Sequence, residues 1–267
     1  MVVGGEDQKP LPKIVVAFEA LAEVATSGGS VAVHSDVLRS NTEKKELRIH
    51  KGEKKKSRTG KSNMAGNREE KVLQKMAAAF EPLAEWVVSG GVAMELGPFA
   101  HACAQVSILK YLGNAFKFGQ KDYESKIVDL MEASNSIATL NDMIELDIQH
   151  GCVRQLGSHT RNLLKVKRGL DVIKTLFEEI IKLEGNSLRN AASVAYTKVF
   201  ALHHGQDIKK AVDAAMHAVP PKFLLFELLN EDEDSAKVKM QRFIRASGPV
   251  IEYIEELFIS RQLGIDW

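Results

Sequence analysis

Cysteine, proline and aromatic residues are all scarce in this chain, and each shortage removes a class of structure. Two cysteines, Cys103 and Cys152, occur among 267 residues, without a CxxC or a Cys/His ligand spacing. A disulfide-stapled scaffold is thereby excluded, no metal site is expected, and the free thiols suit a reducing compartment. Only seven prolines are present, and long stretches lack both proline and the alternation of half-buried strands, so the pattern favours helices throughout. No run approaches the roughly 18 apolar residues that a membrane-spanning helix needs. The start, Met1-Val2-Val3-Gly4-Gly5-Glu6-Asp7, has neither the basic nor the apolar stretch of a secretory signal. Together these absences predict a cytosolic protein.

Catalytic signatures are missing as well. There is no HExxH, no GxSxG, no GxGxxG following a strand and no glycine-led phosphate loop. Thr59-Gly60-Lys61-Ser62 imitates the end of such a loop, but Lys55 stands where the leading glycine is required and no apolar strand precedes it. No catalytic residue and no cofactor are assigned, and the chain is not expected to be an enzyme.

What the chain does have is 45% hydrophobic residues, enough for a substantial core, and a net charge of +1 that hides an uneven distribution. Lysine and arginine crowd residues 44–75, while Glu231-Asp232-Glu233-Asp234 forms a late acidic run. A partial repeat precedes the main domain. Lys9-x-Leu11-x-Lys13, Ala17-Phe18-Glu19-x-Leu21-Ala22-Glu23 and Ser27-Gly28-Gly29 return 62 positions later as Lys71-x-Leu73-x-Lys75, Ala79-Phe80-Glu81-x-Leu83-Ala84-Glu85 and Ser89-Gly90-Gly91. A single duplication does not make a solenoid. The chain therefore divides into a duplicate of the first helix (1–29), a basic linker too polar to bury and predicted to be disordered (30–68), and one helical domain (69–267).

From residue 69 the apolar positions fall at helical spacing. Leu73, Met76, Ala77, Phe80, Leu83, Ala84, Val87 and Val88 mark one face of a first helix that Gly90-Gly91 ends. Further amphipathic stretches cover 98–118, 123–149, 159–183, 187–203, 207–219, 221–229 and 234–262, the last interrupted at Gly248-Pro249. That makes about eight helices, joined by the short connections of a compact antiparallel array.

Polar residues set within these helices are the candidates for function. Asp122 and Lys126 share one helix face at i,i+4, and Arg161 and Lys165 repeat that spacing on another. Two such pairs facing each other would form a small charged recess suited to a phosphomonoester, whose near-double negative charge needs cations and oriented donors. The same spacings equally describe an ordinary surface ion pair and a solvated basic face. His203-His204-Gly205 closes another helix, where a histidine serves as a dipole partner, a buried donor or a ligand contact.

Several longer stretches carry a resemblance. Ala115-Phe116-Lys117-Phe118 with Asp122-Tyr123-x-x-Lys126, the run from Gly157 to Leu170 (GSHTRNLLKVKRGL), His203-His204-Gly205 and Gln262-Leu263-Gly264-Ile265-Asp266-Trp267 together resemble the plant accelerated-cell-death branch of the glycolipid transfer protein superfamily. The likeness runs from residue 69 to 267. It implies an all-α, two-layer sandwich of eight helices with a recessed headgroup site and an apolar pocket between the layers. It further implies that Asp122 accepts from the amide and hydroxyl of a ceramide, that His204 donates to the amide carbonyl, and that Lys126, Arg161 and Lys165 hold a phosphate. Orientation would come from these contacts, and affinity from burying the chains at about 0.8 kcal/mol per methylene.

This sequence departs from that pattern in two places. Relatives that carry neutral sugars have a Trp at the position of Lys165, so the stacking platform is absent and an anionic headgroup is favoured. Phosphate-carrying relatives usually have Arg there, and a lysine lacks its planar fork, which predicts weaker phosphate affinity. Gln206 stands where relatives often place an interfacial Trp. Phe223, Leu224 and Phe226 offer either an alternative apolar rim or a core-facing stripe. The resemblance thus implies non-enzymatic transfer of ceramide-1-phosphate between membranes by transient surface contact. A sphingolipid sensor or scaffold, or glycolipid transfer, is the alternative. The basic segment could attract anionic lipid at about 1 kcal/mol per well-placed cation. Lacking interleaved aromatics, it is not expected to bind nucleic acid.

Overall fold

A computed structural model of the protein describes residues 71–113 and 116–267. The expected duplicate (1–29) and basic linker (30–68) lie outside the described residues. Nine α-helices account for most of the described chain: α1 (Val72–Val88), α2 (Leu96–Ala104), α3 (Lys117–Ala133), α4 (Leu140–Gln149), α5 (His159–Lys182), α6 (Leu188–Val199), α7 (Gln206–Met216), α8 (Lys222–Leu228) and α9 (Glu233–Ile259). A 3-10 turn, Ile108–Tyr111, follows α2. Among the described residues there is no strand, only an isolated bridge between Glu95 and Thr139, and the all-α expectation holds.

α1 forms as its spacing predicts, burying Leu73, Met76, Ala77, Phe80 and Leu83. Its end needs two glycines for two different reasons. Gly90 takes φ +86°, a conformation costly for any residue with a Cβ. Gly91 lies so close to the Trp86 indole that an added Cβ would sit 2.2 Å from the ring.

Three helix boundaries differ from the sequence expectation. The stretch 123–149 is two helices, because Ser134, Asn135 and Ser136 turn their side chains back onto the carbonyls of Met131, Glu132 and Ala133. Thr139 then caps α4, accepting from the Asp142 amide at 3.1 Å and donating to its carboxylate at 2.7 Å. The stretch 98–118 shortens to α2 and the 3-10 turn, which ends before Gly113 at φ +98°. Conversely, α9 runs unbroken through Gly248-Pro249. Proline removes one hydrogen bond, to the carbonyl of the exposed Arg245, while Val250, Ile251, Ile254 and Phe258 continue the buried stripe on the other side. Nine helices instead of eight result among the described residues.

α5 and α9 organise the packing. α9 lies between α1 and α5, and α5 also touches α3, α4 and α6. Phe243 of α9 makes edge-to-face contacts at 5.5 Å with both Phe80 of α1 and Phe177 of α5, joining three helices through fully buried rings. Ion pairs lie along the same seams: Arg242 grips Glu81 with three hydrogen bonds, and Lys167 reaches Glu255 at 2.8 Å.

In the acidic run at 231–234 only Glu231 is buried, and Asp232 and Glu233 take structural roles while exposed. Glu231 is a buried carboxylate held by Lys239, Ser235 and Lys71. Burial alone would push it up, but hydrogen bonds from Lys239, Ser235 and Lys71 hold it below the usual range. Asp232 caps α9 by accepting from the Ser235 amide at 2.8 Å, and Glu233 pairs with Lys222 and Lys237.

Candidate functional site

α3 and α5 cross antiparallel, and their contacts fix the register of the site. Near the end of α3, Asp129 takes hydrogen bonds from Asn162 at 2.8 Å and pairs with His159 at 3.0 Å at the start of α5. Near the other end, the Tyr123 ring sits directly over Gly169, where a Cβ would lie 2.6 Å from it. A glycine is required there because the ring occupies the space of any side chain. Tyr123 also donates to the carbonyl of Cys103 at 3.4 Å, tying the pair to α2. Lys126 and Lys165 fall between these two contacts along their helices and Asp122 lies just outside the Tyr123–Gly169 one, and Asp122, Lys126 and Arg161 all act electrostatically on Lys165.

The start of α5 is rigidly held. Ser158 accepts from the Arg161 amide at 3.1 Å, and the buried Asp147 accepts from the Thr160 amide at 2.7 Å and the Ser158 hydroxyl at 3.1 Å. Burial works to raise the Asp147 carboxyl, yet hydrogen bonds from Thr160, Cys152 and Ser158 keep it below its ordinary value. A negative charge at this helix N-terminus is also favoured by the helix dipole.

Asp122 and Lys126 form the expected i,i+4 ion pair at 3.0 Å. Lys165 reports the composition of the recess. Half-burial depresses its ammonium; Asp122 draws it back up, and Lys126, Arg161 and Arg168 push it further down. Three cations and one carboxylate act on this lysine among the described residues, a balance that favours an anion over a neutral group. Arg161 gives one hydrogen bond, to the Arg154 carbonyl at 3.3 Å.

His204 lies in the turn between α6 and α7. Its Nδ1 is 3.0 Å from the Tyr196 hydroxyl, and its ring stacks on Phe200 with an interplanar angle of 5°. Burial, then His203, Arg168 and Lys209, keep it below the ordinary histidine value. In the tautomer where the phenol donates to Nδ1, the ring proton sits on Nε2. Arg168 influences both Lys165 and His204, which brings the two parts of the predicted site into one electrostatic neighbourhood. Tyr196 and Phe200 carried no signal in the sequence. Arg168 did, standing three residues after Lys165 and seven after Arg161, on the same face.

A cavity of about 230 Å³ lies between α6 and α7, lined by Ser193, Tyr196, Ala201, Lys209, Val212 and Met216 among others. Nearby, Leu202 is 88% exposed. The segment after Pro221 splits between the two expectations: Phe226 is buried, Leu224 half-buried, and Phe223 exposed. No helix among the described residues is long and apolar enough to cross a membrane.

Comparison with known proteins finds relatives of this chain. A family model described as Glycolipid transfer protein (GLTP) matches residues 94–231. The Arabidopsis thaliana protein "Accelerated cell death 11" is 50% identical over 206 residues, spanning 76% of this chain and 100% of that protein. A Danio rerio ceramide-1-phosphate transfer protein is 29% identical over 147 residues, covering 51% of this chain and 70% of its own. The crystal structure of a mutant of Arabidopsis accelerated-cell-death 11 complexed with ceramide-1-phosphate superposes with a TM-score of 0.73. It has 49% identity and covers 75% of this chain and 100% of that one.

Proposed function

The chain belongs to the glycolipid transfer protein family, a family of lipid carriers with an all-α fold, and on that premise we propose that it transfers ceramide-1-phosphate between membranes without catalysing a reaction. What supports this reading is that Lys126 and Arg161 both act on the half-buried Lys165, with Asp122, itself paired to Lys126, the one carboxylate that offsets them among the described residues. A neutral sugar would gain nothing from such a surplus of positive charge, whereas a phosphomonoester gains from each cation.

In this reading the phosphate lies among Lys126, Arg161 and Lys165. Asp122, ionised and an acceptor only, takes the amide N–H and the hydroxyl of the ceramide. His204, with its Nδ1 engaged by Tyr196, gives its Nε2 proton to the amide carbonyl. The chains are buried when helices part at the edge where α6 and α7 leave a cavity, each methylene contributing about 0.8 kcal/mol. Residues 69–267 form the lipid-binding unit, which works in the cytosol and touches membranes transiently.

Vesicle-to-vesicle transfer of labelled ceramide-1-phosphate, a neutral glycosylceramide and plain ceramide, with wild type and Asp122→Asn, tests the proposal. Fast transfer of the phosphate lipid alone, lost in the variant, is the expected result. Transfer of the glycolipid instead would overturn the phosphate reading, and binding without transfer would make the protein a sensor rather than a carrier.

A further inference from the structure

α1 is held on α9 by a small set of specific side chains. Phe80 meets Phe243 edge-to-face at 5.5 Å, Glu81 takes three hydrogen bonds from Arg242, and Lys71, just before the helix, pairs with the buried Glu231 at 3.1 Å. Leu73, Met76, Ala77 and Leu83 are buried beside Phe80, and Trp86 lies edge-on to Tyr253 at 5.6 Å. The chain beyond α1 has an anchor of its own. The Tyr253 hydroxyl lies 3.0 Å from the Val92 carbonyl and accepts from the Met94 amide at 3.1 Å.

The same set of side chains occurs once more in this chain, 62 positions earlier, in the duplicate that lies outside the described residues. Lys9, Phe18 and Glu19 stand where Lys71, Phe80 and Glu81 make those contacts, and Leu11, Ile14 and Leu21 stand at the buried positions of Leu73, Met76 and Leu83. Apolar spacing alone is shared by any amphipathic helix. Here the repeat extends to the two charges that pair with Glu231 and Arg242. Four of the differences fall at exposed positions, where Pro12, Val16, Ala20 and Thr26 replace Gln74, Ala78, Pro82 and Val88. Pro10 and Pro12 correspond to the first turn, whose amides have no carbonyl to bond, and Ala20 corresponds to Pro82, which removes a hydrogen bond inside α1. Two differences weaken the duplicate: Val15 adds bulk at the fully buried Ala77, and Val24 lacks the indole that meets Tyr253.

We propose that the face of α9 covered by α1 is a docking surface for which two segments of this chain compete: residues 72–88, which hold it in the structure, and residues 9–29, the weaker rival. Exchange leaves the rest of the fold in place. Gly29 takes the position of Gly91, residues 30–91 become an excursion that leaves and returns beside Val92, and the Tyr253 anchor stays made. The entropy of closing such an excursion grows only with the logarithm of its length. A segment tethered to its site also meets it at a far higher effective concentration than the same segment on another molecule. The occupant is therefore the chain's own duplicate rather than that of a second copy.

Amide exchange followed by mass spectrometry and denaturant unfolding, both on the full chain, test this for wild type, Phe80→Ala, Phe18→Ala and the double variant. In wild type, 72–88 should be protected more strongly than 9–29. Phe80→Ala is expected to raise protection across 9–29 about tenfold and to lower it across 72–88. Phe18→Ala, silent in the wild-type background, is expected to lower the unfolding midpoint of Phe80→Ala further, a non-additivity that only a shared site produces. Equal protection of 9–29 in wild type and Phe80→Ala, or a Phe18→Ala effect that is nil in both backgrounds, would overturn the proposal. A Phe80→Ala chain that does not fold would overturn it as well, because the rival segment would have failed to fill the site. Glu81→Gln, which keeps the buried ring and weakens only the pairing with Arg242, should move protection in the same direction by a smaller factor. Protection of 9–29 that appears only with a dimer and rises with protein concentration would assign the surface to a second copy and overturn the same-chain occupant.

Discussion

α5 and α7 are built on opposite terms. Twelve of the 24 residues of α5 are buried, against two of the 11 in α7. α5 carries Arg161, Lys165 and Arg168 and is stapled at its start by Asp147 and Asp129 and in its middle by the Tyr123–Gly169 contact. α7 rests mainly on α6 beside a cavity. Charged groups that must meet one phosphate need a fixed platform, since a misplacement of about 1 Å weakens every contact at once. A mouth that admits long chains needs the reverse, few buried contacts and a low cost of opening. In the proposed function, platform and mouth are thus separated along the chain.

The sharpest way to break this contrast is in the core beneath the platform. Phe243→Ala removes the ring shared by α1, α5 and α9 and should cost about 3–5 kcal/mol in denaturant unfolding. Val212→Ala, half-buried at the cavity of α7, should cost less than about 1 kcal/mol, because surroundings that are already open lose little packing. Equal losses would refute the distinction. Amide exchange should likewise be faster across 206–216 than across 159–182.

Next in size is charge reversal on the platform. Arg161→Glu should weaken ceramide-1-phosphate binding about a hundredfold or more while circular dichroism stays that of wild type. Binding that survives would displace the site from this face. Gly169→Ala probes whether the platform depends on helix approach rather than on charge alone. Its Cβ would meet the Tyr123 ring, so a stability loss of about 1–3 kcal/mol is expected, together with weaker lipid binding as α3 moves away from α5. Lost stability with unchanged lipid affinity would mean that the spacing of the two helices does not matter to the site.

The smallest effect is that of pH at the mouth. His204 and His203 are held below the usual 6.5, burial being the first cause for each. Below about pH 6.5 the unfolded chain takes up protons that the folded one resists, so stability should fall as the pH drops through that value and below. His204→Gln should flatten part of that slope in unfolding titrations.

Much of the fold was legible because helical periodicity is local. The apolar stripe of α1, its Gly90-Gly91 end and the continuous face of α5 all follow from spacing. The failures are equally specific. The Ser134-Asn135-Ser136 turn was hidden inside an apolar pattern that continued on both sides, since side-chain bonds to the backbone compete with the helix without altering its periodicity. Pro249 read as a stop, but buried residues on the opposite face repay the one missing hydrogen bond. At the site, Asp122, Lys126, Arg161 and Lys165 were legible as two i,i+4 pairs, and a solvated face explained them as well. Tyr196 was not legible at all, because its contact with His204 depends on how the chain turns after α6.

By itself, then, the amino-acid sequence determined the helical class, the amphipathic faces and the residue types able to hold a phosphate, because these depend on neighbours within a turn or two along the chain. Only the tertiary structure decided that Asp122, Lys126 and Arg161 all act on Lys165, that His204 is held by Tyr196 and kept below the ordinary histidine range, and that the segment 263–267 grips Arg168. Each of these rests on contacts between residues distant in sequence, whose burial and mutual fields exist only once α3, α5, α6 and α9 have packed.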